Sequence, residues 1–231
     1  MSTDPYVDPR TGVLRNRLGI TDQATLNGAE REITSRTVAR LQVRPLPGAY
    51  DLPHLQAFHR EIFGAIYPWA GELRGVAIAK GELFCLPQHI PAAGAELFRD
   101  LAHEHHLRGL ERDPFLDRLT HYLGEINALH PFREGNGRAQ RAFAGQLARQ
   151  AGYVLRWDGL DPGQNVHASQ ASMRGDPAPM RALLTPRVEP MRIGGGVDRA
   201  PGPEPSSNRP VHARILPTRR TRAPSLGPER D

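Results

Sequence analysis

The densest chemistry in this 231-residue chain lies between His130 and Arg141. His130-Pro131-Phe132-Arg133-Glu134-Gly135-Asn136-Gly137-Arg138 is followed one helical turn later by Arg141. Gly135 and Gly137 let the backbone approach a ligand closely, and the free N–H groups of a helix beginning near Asn136 form an anion site reinforced by the helix dipole. Arg138 and Arg141, three residues apart, project from one face of that helix and can neutralise a di- or triphosphate. Glu134 offers a hard carboxylate oxygen suited to a Mg²⁺ shared with a nucleotide. His130, at the mouth of the loop, can take a proton from an incoming hydroxyl near neutral pH. The pattern points to phosphate chemistry with a proton acceptor at the edge of the cradle.

Two buried helices must hold such a loop. Asp113 is the expected cap of the first, with Pro114 in its opening turn, and Phe115, Leu116, Leu119, Tyr122, Leu123, Ile126 and Leu129 are dense enough to bury it on most sides. It should stop at His130, because the residue before a proline is pushed out of the helical region. The second helix should run from about Asn136 to Gly152, a natural left-handed cap. Upstream, Thr21 and Asp22 offer caps to a helix ending before Pro45, and a second helix is expected from about Pro53 to Ala65. The stretch from Arg74 to Leu86, turning at Lys80-Gly81-Glu82, reads as a β-hairpin. A helix is expected from about Gln88 to Leu107, with short closing helices at Asn165–Met173 and Met180–Leu184.

Composition bounds the classes. There is no long apolar run and no signal-like N-terminus, which implies a cytoplasmic protein with no membrane partner. The single Cys85 rules out an intramolecular disulfide framework. Net charge is +5 with a pI near 10, but eight Arg against two Asp and two Glu fall between Pro190 and Asp231, so that segment carries +4 of the total. The rest is nearly neutral, which argues against nucleic acid as the partner. Rich in Pro, Gly and Ser, residues 190–231 read as a disordered tail following a domain over residues 1–189. Only one of the 30 basic residues, Lys80, is a lysine, and a compact ammonium is not interchangeable with a planar guanidinium. His103-Glu104-His105-His106 lacks the spacing of a zinc helix and reads as a solvated helix end.

The string from His130 to Arg141 resembles the signature of the Fic family, HxFx(D/E)GNGRxxR, at every specified position. Leu14 to Ile20, Tyr67-Pro68-Trp69-Ala70-Gly71-Glu72 with Arg74, and Lys80-Gly81 are also typical of it. The resemblance implies an all-α fold with a central helix-loop-helix and a small β-hairpin flap. It also implies a protein adenylyltransferase that moves AMP from Mg-ATP to a Ser, Thr or Tyr hydroxyl of a target protein held along the flap. In that mechanism His130 is the general base and Glu134 the Mg²⁺ ligand. Gly135, Asn136 and Gly137 hold the inner phosphates, Arg138 and Arg141 the outer ones, and Lys80 and Gly81 lie on the flap near the nucleotide. Phe132 anchors the loop in the core. The alternatives are another Fic-type transfer of phosphate, UMP or phosphocholine, removal of AMP, or a non-catalytic nucleotide-binding module.

Members of the family are commonly restrained by a helix with the pattern (S/T)xxxE(G/N), whose glutamate pairs with the second arginine. Thr25 is followed by Glu30, one residue too far, while Ser225 and Glu229 are separated by Gly227 and Pro228, which preclude a helix. The resemblance therefore implies the toxin type, with a small separate antitoxin supplying a glutamate to Arg141.

Overall fold

The computed structural model describes residues 4–191. Residues 190–231 of the expected tail lie outside it, apart from Pro190 and Met191. The described elements are α1 (Gln23–Val43), α2 (Leu52–Phe63), β1 (Ala79–Lys80), β2 (Glu82–Leu83), α3 (Ile90–His103), α4 (Arg112–Leu129), α5 (Asn136–Ala151), β3 (Tyr153–Leu155), α6 (Pro162–Met173), α7 (Ala178–Leu184) and β4 (Val188–Pro190). Among the described residues the fold is helical, with two two-stranded antiparallel sheets, β1-β2 and β3-β4. No described helix is long and apolar enough to cross a membrane.

Local chemistry sets the helix ends. Asp22 accepts from the Thr25 N–H at 2.7 Å and Asp51 from the His54 N–H at 2.8 Å, each satisfying an amide that the first turn leaves unpaired. Gly152, at φ 90°, closes α5 in the left-handed region. The expected cap at Asp113 is corrected: α4 begins at Arg112, with Glu111 as a cap residue that makes no side-chain bond. The reason is tertiary. Arg112 donates to the Thr185 carbonyl at 2.6 Å and to the Val188 carbonyl at 3.3 Å, which ties the helix start, two residues earlier than expected, to the closing segment.

The core forms where α4 and α5 pack on each other, with α2 and α1 on α5 and α3, α6 and α7 on α4. Phe115, Leu116, Leu119, Tyr122, Leu123 and Ile126 of α4 are buried, as are Phe143 and Leu147 of α5 and Leu55, Phe58 and Ile62 of α2. Burial of side chains this large contributes about 1.5–3 kcal/mol each. The loop joining α4 to α5 is thereby fixed at the end of the most deeply buried helix pair.

The hairpin is shorter than the sequence suggests. Only Ala79 to Leu83 pairs as strands, with Gly81 turning at φ 79°. Arg74 diverts the rest: its N–H donates to the Pro131 carbonyl at 2.9 Å, and its guanidinium takes the Val76 and Cys85 carbonyls. Cys85 in turn donates its N–H to Ala128 at the end of α4. Beyond one bond between the flanks, from the Phe84 N–H to the Ile78 carbonyl at 3.2 Å, the hairpin is held by Arg74 and by the end of α4.

β4 was not anticipated. Val188 pairs with Leu155 and Pro190 with Tyr153, and Met191 donates to the Gly152 carbonyl at 2.9 Å. A chain ending after Met191 should therefore melt close to the full-length protein. A chain ending after Arg187 should lose on the order of 5–10 °C, because Val188 is buried and its burial and pairing go with it. Equal melting temperatures for the two truncations would remove β4 from the folded unit.

Candidate active site

His130 terminates α4 in the left-handed region, at φ 43° and ψ 60°. A non-glycine residue held there costs about 1–3 kcal/mol, a strain that must be overcome by its surroundings. Those surroundings are specific. The His130 N–H donates to the Ile126 carbonyl at 3.1 Å, and its own carbonyl accepts from Arg74 Nε at 2.7 Å. Phe84, just beyond β2, stacks on the imidazole with ring centroids 3.8 Å apart and planes 12° from parallel. Burial, followed by the charges of Arg74 and Lys80, pushes the His130 pKa down to about 3. The Asn127 carbonyl opposes this weakly, yet Nδ1 is enclosed without a hydrogen bond of good geometry. The ring is thus neutral at physiological pH.

The loop beyond it is tied internally by Asn136. Its Oδ1 accepts from the Phe132 N–H at 2.9 Å and its Nδ2 donates to the Phe132 carbonyl at 2.8 Å. The Asn136 side chain is therefore a clamp on the loop. Phe132 is buried, as expected of an anchor. Gly135, at φ 80°, caps α5, and a Cβ there would lie 2.2 Å from the Phe63 ring, so no other residue fits without displacing α2. No side chain caps α5 from that position, which leaves first-turn N–H groups for an anion.

Glu134 keeps its carboxylate at this entrance. Oε1 accepts from the Gly135 N–H at 2.8 Å, Arg138 lies 3.7 Å away, and the side chain is 44% exposed. A single accessible carboxylate beside a phosphate cradle, with room for water, is a donor set that fits Mg²⁺. Arg141 makes no ion pair among the described residues. Its Nη1 lies 3.1 Å from where a Gly137 Cβ would be, so the guanidinium rests against the helix entrance and Gly137 makes room for it. Burial and the neighbouring Arg138 both press its pKa down, which marks a cation short of negative charge. Lys80 sits on β1 near enough to His130 to disfavour the imidazolium.

Arg138 differs from Arg141. It is 2.5 Å from Glu30 of α1, it donates to Thr34 Oγ1 at 3.3 Å, and its guanidinium lies over the Phe63 ring at 4.7 Å. Sequence reasoning gave Glu30 no part in the site, and two other contributors were missed. His59 stacks on Phe132 at 3.9 Å, hydrogen-bonds the Glu134 carbonyl through Nε2 at 2.9 Å and accepts the Gly71 N–H on Nδ1 at 2.8 Å. A histidine placed on the apolar face of α2, between Phe58 and Ile62, was the available signal. Arg74, noted only as typical, is fully buried and bonded to three carbonyls. The histidine cluster near residue 105 also differs from expectation in part: His103 and His105 are exposed, but the His106 ring packs against Tyr50 with its nitrogens enclosed.

Residues 49–148 match the Fic/DOC family model. The probable protein adenylyltransferase Fic of Salmonella typhimurium is 42% identical over 190 residues, covering 82% of this chain and 94% of that protein. The chain belongs to the Fic family. The protein adenylyltransferase VbhT of Bartonella schoenbuchensis is 41% identical over 202 residues, covering 87% of this chain, which spans only 42% of VbhT. The N-terminal Fic domain of a Bartonella quintana effector, solved with bound ADP, superimposes with a TM-score of 0.76 at 26% identity, over 81% of this chain and 95% of that one. The all-α Fic fold with its central helix-loop-helix, expected from the signature, is the fold observed.

Proposed function

We propose that this Fic protein is a protein adenylyltransferase that transfers AMP from ATP to a hydroxyl side chain of another protein. The observation that carries the reading is the neutral His130 beside a helix N-terminus with no side-chain cap, next to Arg141, a cation with no ion-pair partner among the described residues. The adenylyltransferase names of its relatives and the ADP bound to a related Fic domain support it. The amides at the start of α5 take the inner phosphates, while Arg138 and Arg141 carry the outer charge. Glu134 would hold Mg²⁺, which when bound supplies charge neutralisation on the phosphates.

The target hydroxyl oxygen attacks the α-phosphorus. The bond from that phosphorus to the oxygen bridging the β-phosphate breaks, and pyrophosphate leaves. The hydroxyl proton passes to His130, through the ring nitrogen other than the enclosed Nδ1. Lys80 and Gly81 close over the nucleotide from the flap, and the flap edge holds the target segment by strand addition. Positioning and charge stabilisation supply most of the rate.

Incubation with ATP labelled at the α- or γ-phosphate tests this reading. Transfer of the α-label alone is expected, γ-label transfer would make the protein a kinase-like Fic enzyme, and no transfer would leave a binding module. Arg141→Ala should weaken ATP binding by about tenfold or more, the worth of a charge-assisted contact. Unchanged affinity and turnover would remove Arg141 from the site.

A small antitoxin is the proposed regulator. A groove of about 280 Å³ between α1 and α5 is lined by Arg31, Arg138, Arg141 and Arg149 with Leu41 and Trp157, and among the described residues no acid lines it. It suits a partner that brings a carboxylate and an apolar face. Expression alone and beside the adjoining short reading frame decides it: toxicity relieved by the neighbour is expected, and harmlessness in both cases would end the idea.

A further inference from the structure

Arg138 and Arg141 are equivalent in the sequence pattern but not in the fold. Among the described residues Arg141 has no carboxylate partner, whereas Arg138 is held by one that comes from a distant element. Glu30 is a buried acid on α1, 108 residues away in sequence from Arg138, and Oε1 reaches Arg138 Nη2 at 2.5 Å. Its second oxygen is taken by the hydroxyl of Tyr67, itself buried. Thr34, one turn along α1, donates its hydroxyl to the Glu30 carbonyl at 2.7 Å and accepts from Arg138 Nη1 at 3.3 Å. Phe63 supplies a ring beneath the guanidinium.

Glu30, Thr34 and Phe63, from two helices, therefore fix a side chain that would otherwise sample many rotamers, with Tyr67 holding Glu30, and they fix it within 3.7 Å of Glu134 at the cradle entrance. A buried carboxylate is costly to retain without a partner, and Glu30 satisfies both oxygens only in this arrangement. Its side-chain hydrogen bonds go to Arg138 and Tyr67.

We propose that Glu30 is a positioning residue that presets Arg138 for the outer phosphates of ATP, with Tyr67 orienting Glu30. This rests on the adenylyltransferase reading above. Preorganisation lowers the entropy lost when the triphosphate binds and keeps the arginine aligned as charge shifts toward pyrophosphate. The effect belongs to the triphosphate: AMP, which lacks the outer phosphates, should not sense it.

The test is a double-mutant cycle on the full chain, with ATP and AMP affinities measured by calorimetry and AMP transfer measured separately. Glu30→Ala should weaken ATP about three- to tenfold, leave AMP unchanged and slow transfer about tenfold. Glu30→Gln, which keeps an acceptor for Arg138, should restore part of the loss, and Tyr67→Phe should show a smaller loss of the same kind. In an Arg138→Ala background, Glu30→Ala should add nothing. Melting curves identify a variant that fails to fold, for which Glu30→Gln and Tyr67→Phe stand in. Additive losses, an equal loss of AMP affinity, or tighter ATP binding with faster transfer in Glu30→Gln would overturn the proposal, the last by making Glu30 a brake. If the unaltered protein binds ATP but transfers nothing, the adenylyltransferase reading fails while the binding cycle still decides the role of Glu30.

Discussion

Replacing His130 with alanine should slow AMP transfer at saturating ATP by at least about 100-fold while changing ATP affinity by less than about threefold, because a proton acceptor is lost and the phosphate cradle is not. The separation follows from the geometry. The imidazole sits at the end of α4 under Phe84, and the groups suited to phosphates belong to α5 and the residues just before it. A complication is the backbone, since φ is 43° at this position and alanine gains nothing there. His130→Asn is the better control, because asparagine tolerates the left-handed region and cannot act as a base. Both variants should lose transfer and keep ATP. Because the imidazole of the free protein is neutral down to about pH 3, kcat/KM should show no inflection from His130 between pH 6 and 7.5. Near-normal turnover in His130→Asn would place the proton acceptor elsewhere.

The parts of the site that were readable in the sequence are those in which one short segment carries both structure and chemistry. His130-Pro131 ends a helix, Gly135 begins the next, and the arginine spacing needs only helical periodicity. Each is a local rule, and each element stands where the rule puts it. The parts that were not readable depend on crossings between distant segments. Glu30 looks like any acid on a largely exposed helix until α1 is packed across α5, and Arg74 looks like a loop cation until Val76, Cys85 and His130 converge on it. A restraining helix would carry its glutamate in a fixed pattern. Glu30 falls outside that pattern and still reaches the signature helix, at Arg138 instead of Arg141. β3 and β4 fail for a related reason: three-residue strands have no periodicity to detect, and they exist because Gly152 and Met191 are brought together by the helices between them.

Acid should unfold this protein well before its carboxylates are all protonated. His59 is enclosed between α2 and the central loop, and burial holds its pKa down to about 4. His130 is held to about 3, and burial also lowers His54. In the unfolded chain all three return toward the ordinary value of 6.5. Between these limits the unfolded state binds more protons, so stability rises with pH and is lost as pH falls from about 6.5 toward 4. From pH 7 to pH 5, His59 and His130 should each cost on the order of 2 kcal/mol. Their sum is a large fraction of the 5–15 kcal/mol typical of a folded domain. His59 is the cleaner probe, because its two nitrogens already have defined roles: Nδ1 accepts from Gly71 and Nε2 faces the Glu134 carbonyl as donor. Glutamine can reproduce both bonds without titrating. His59→Gln should be less stable than the parent at pH 7, since it gives up the stacking on Phe132 and Phe63, but its denaturation midpoint should fall less steeply toward pH 5. Chemical denaturation at pH 7, 6 and 5 measures the two slopes. Parallel lines for parent and variant would mean that His59 does not titrate on unfolding, and that its place beneath the loop contributes packing without the pH dependence derived from its burial.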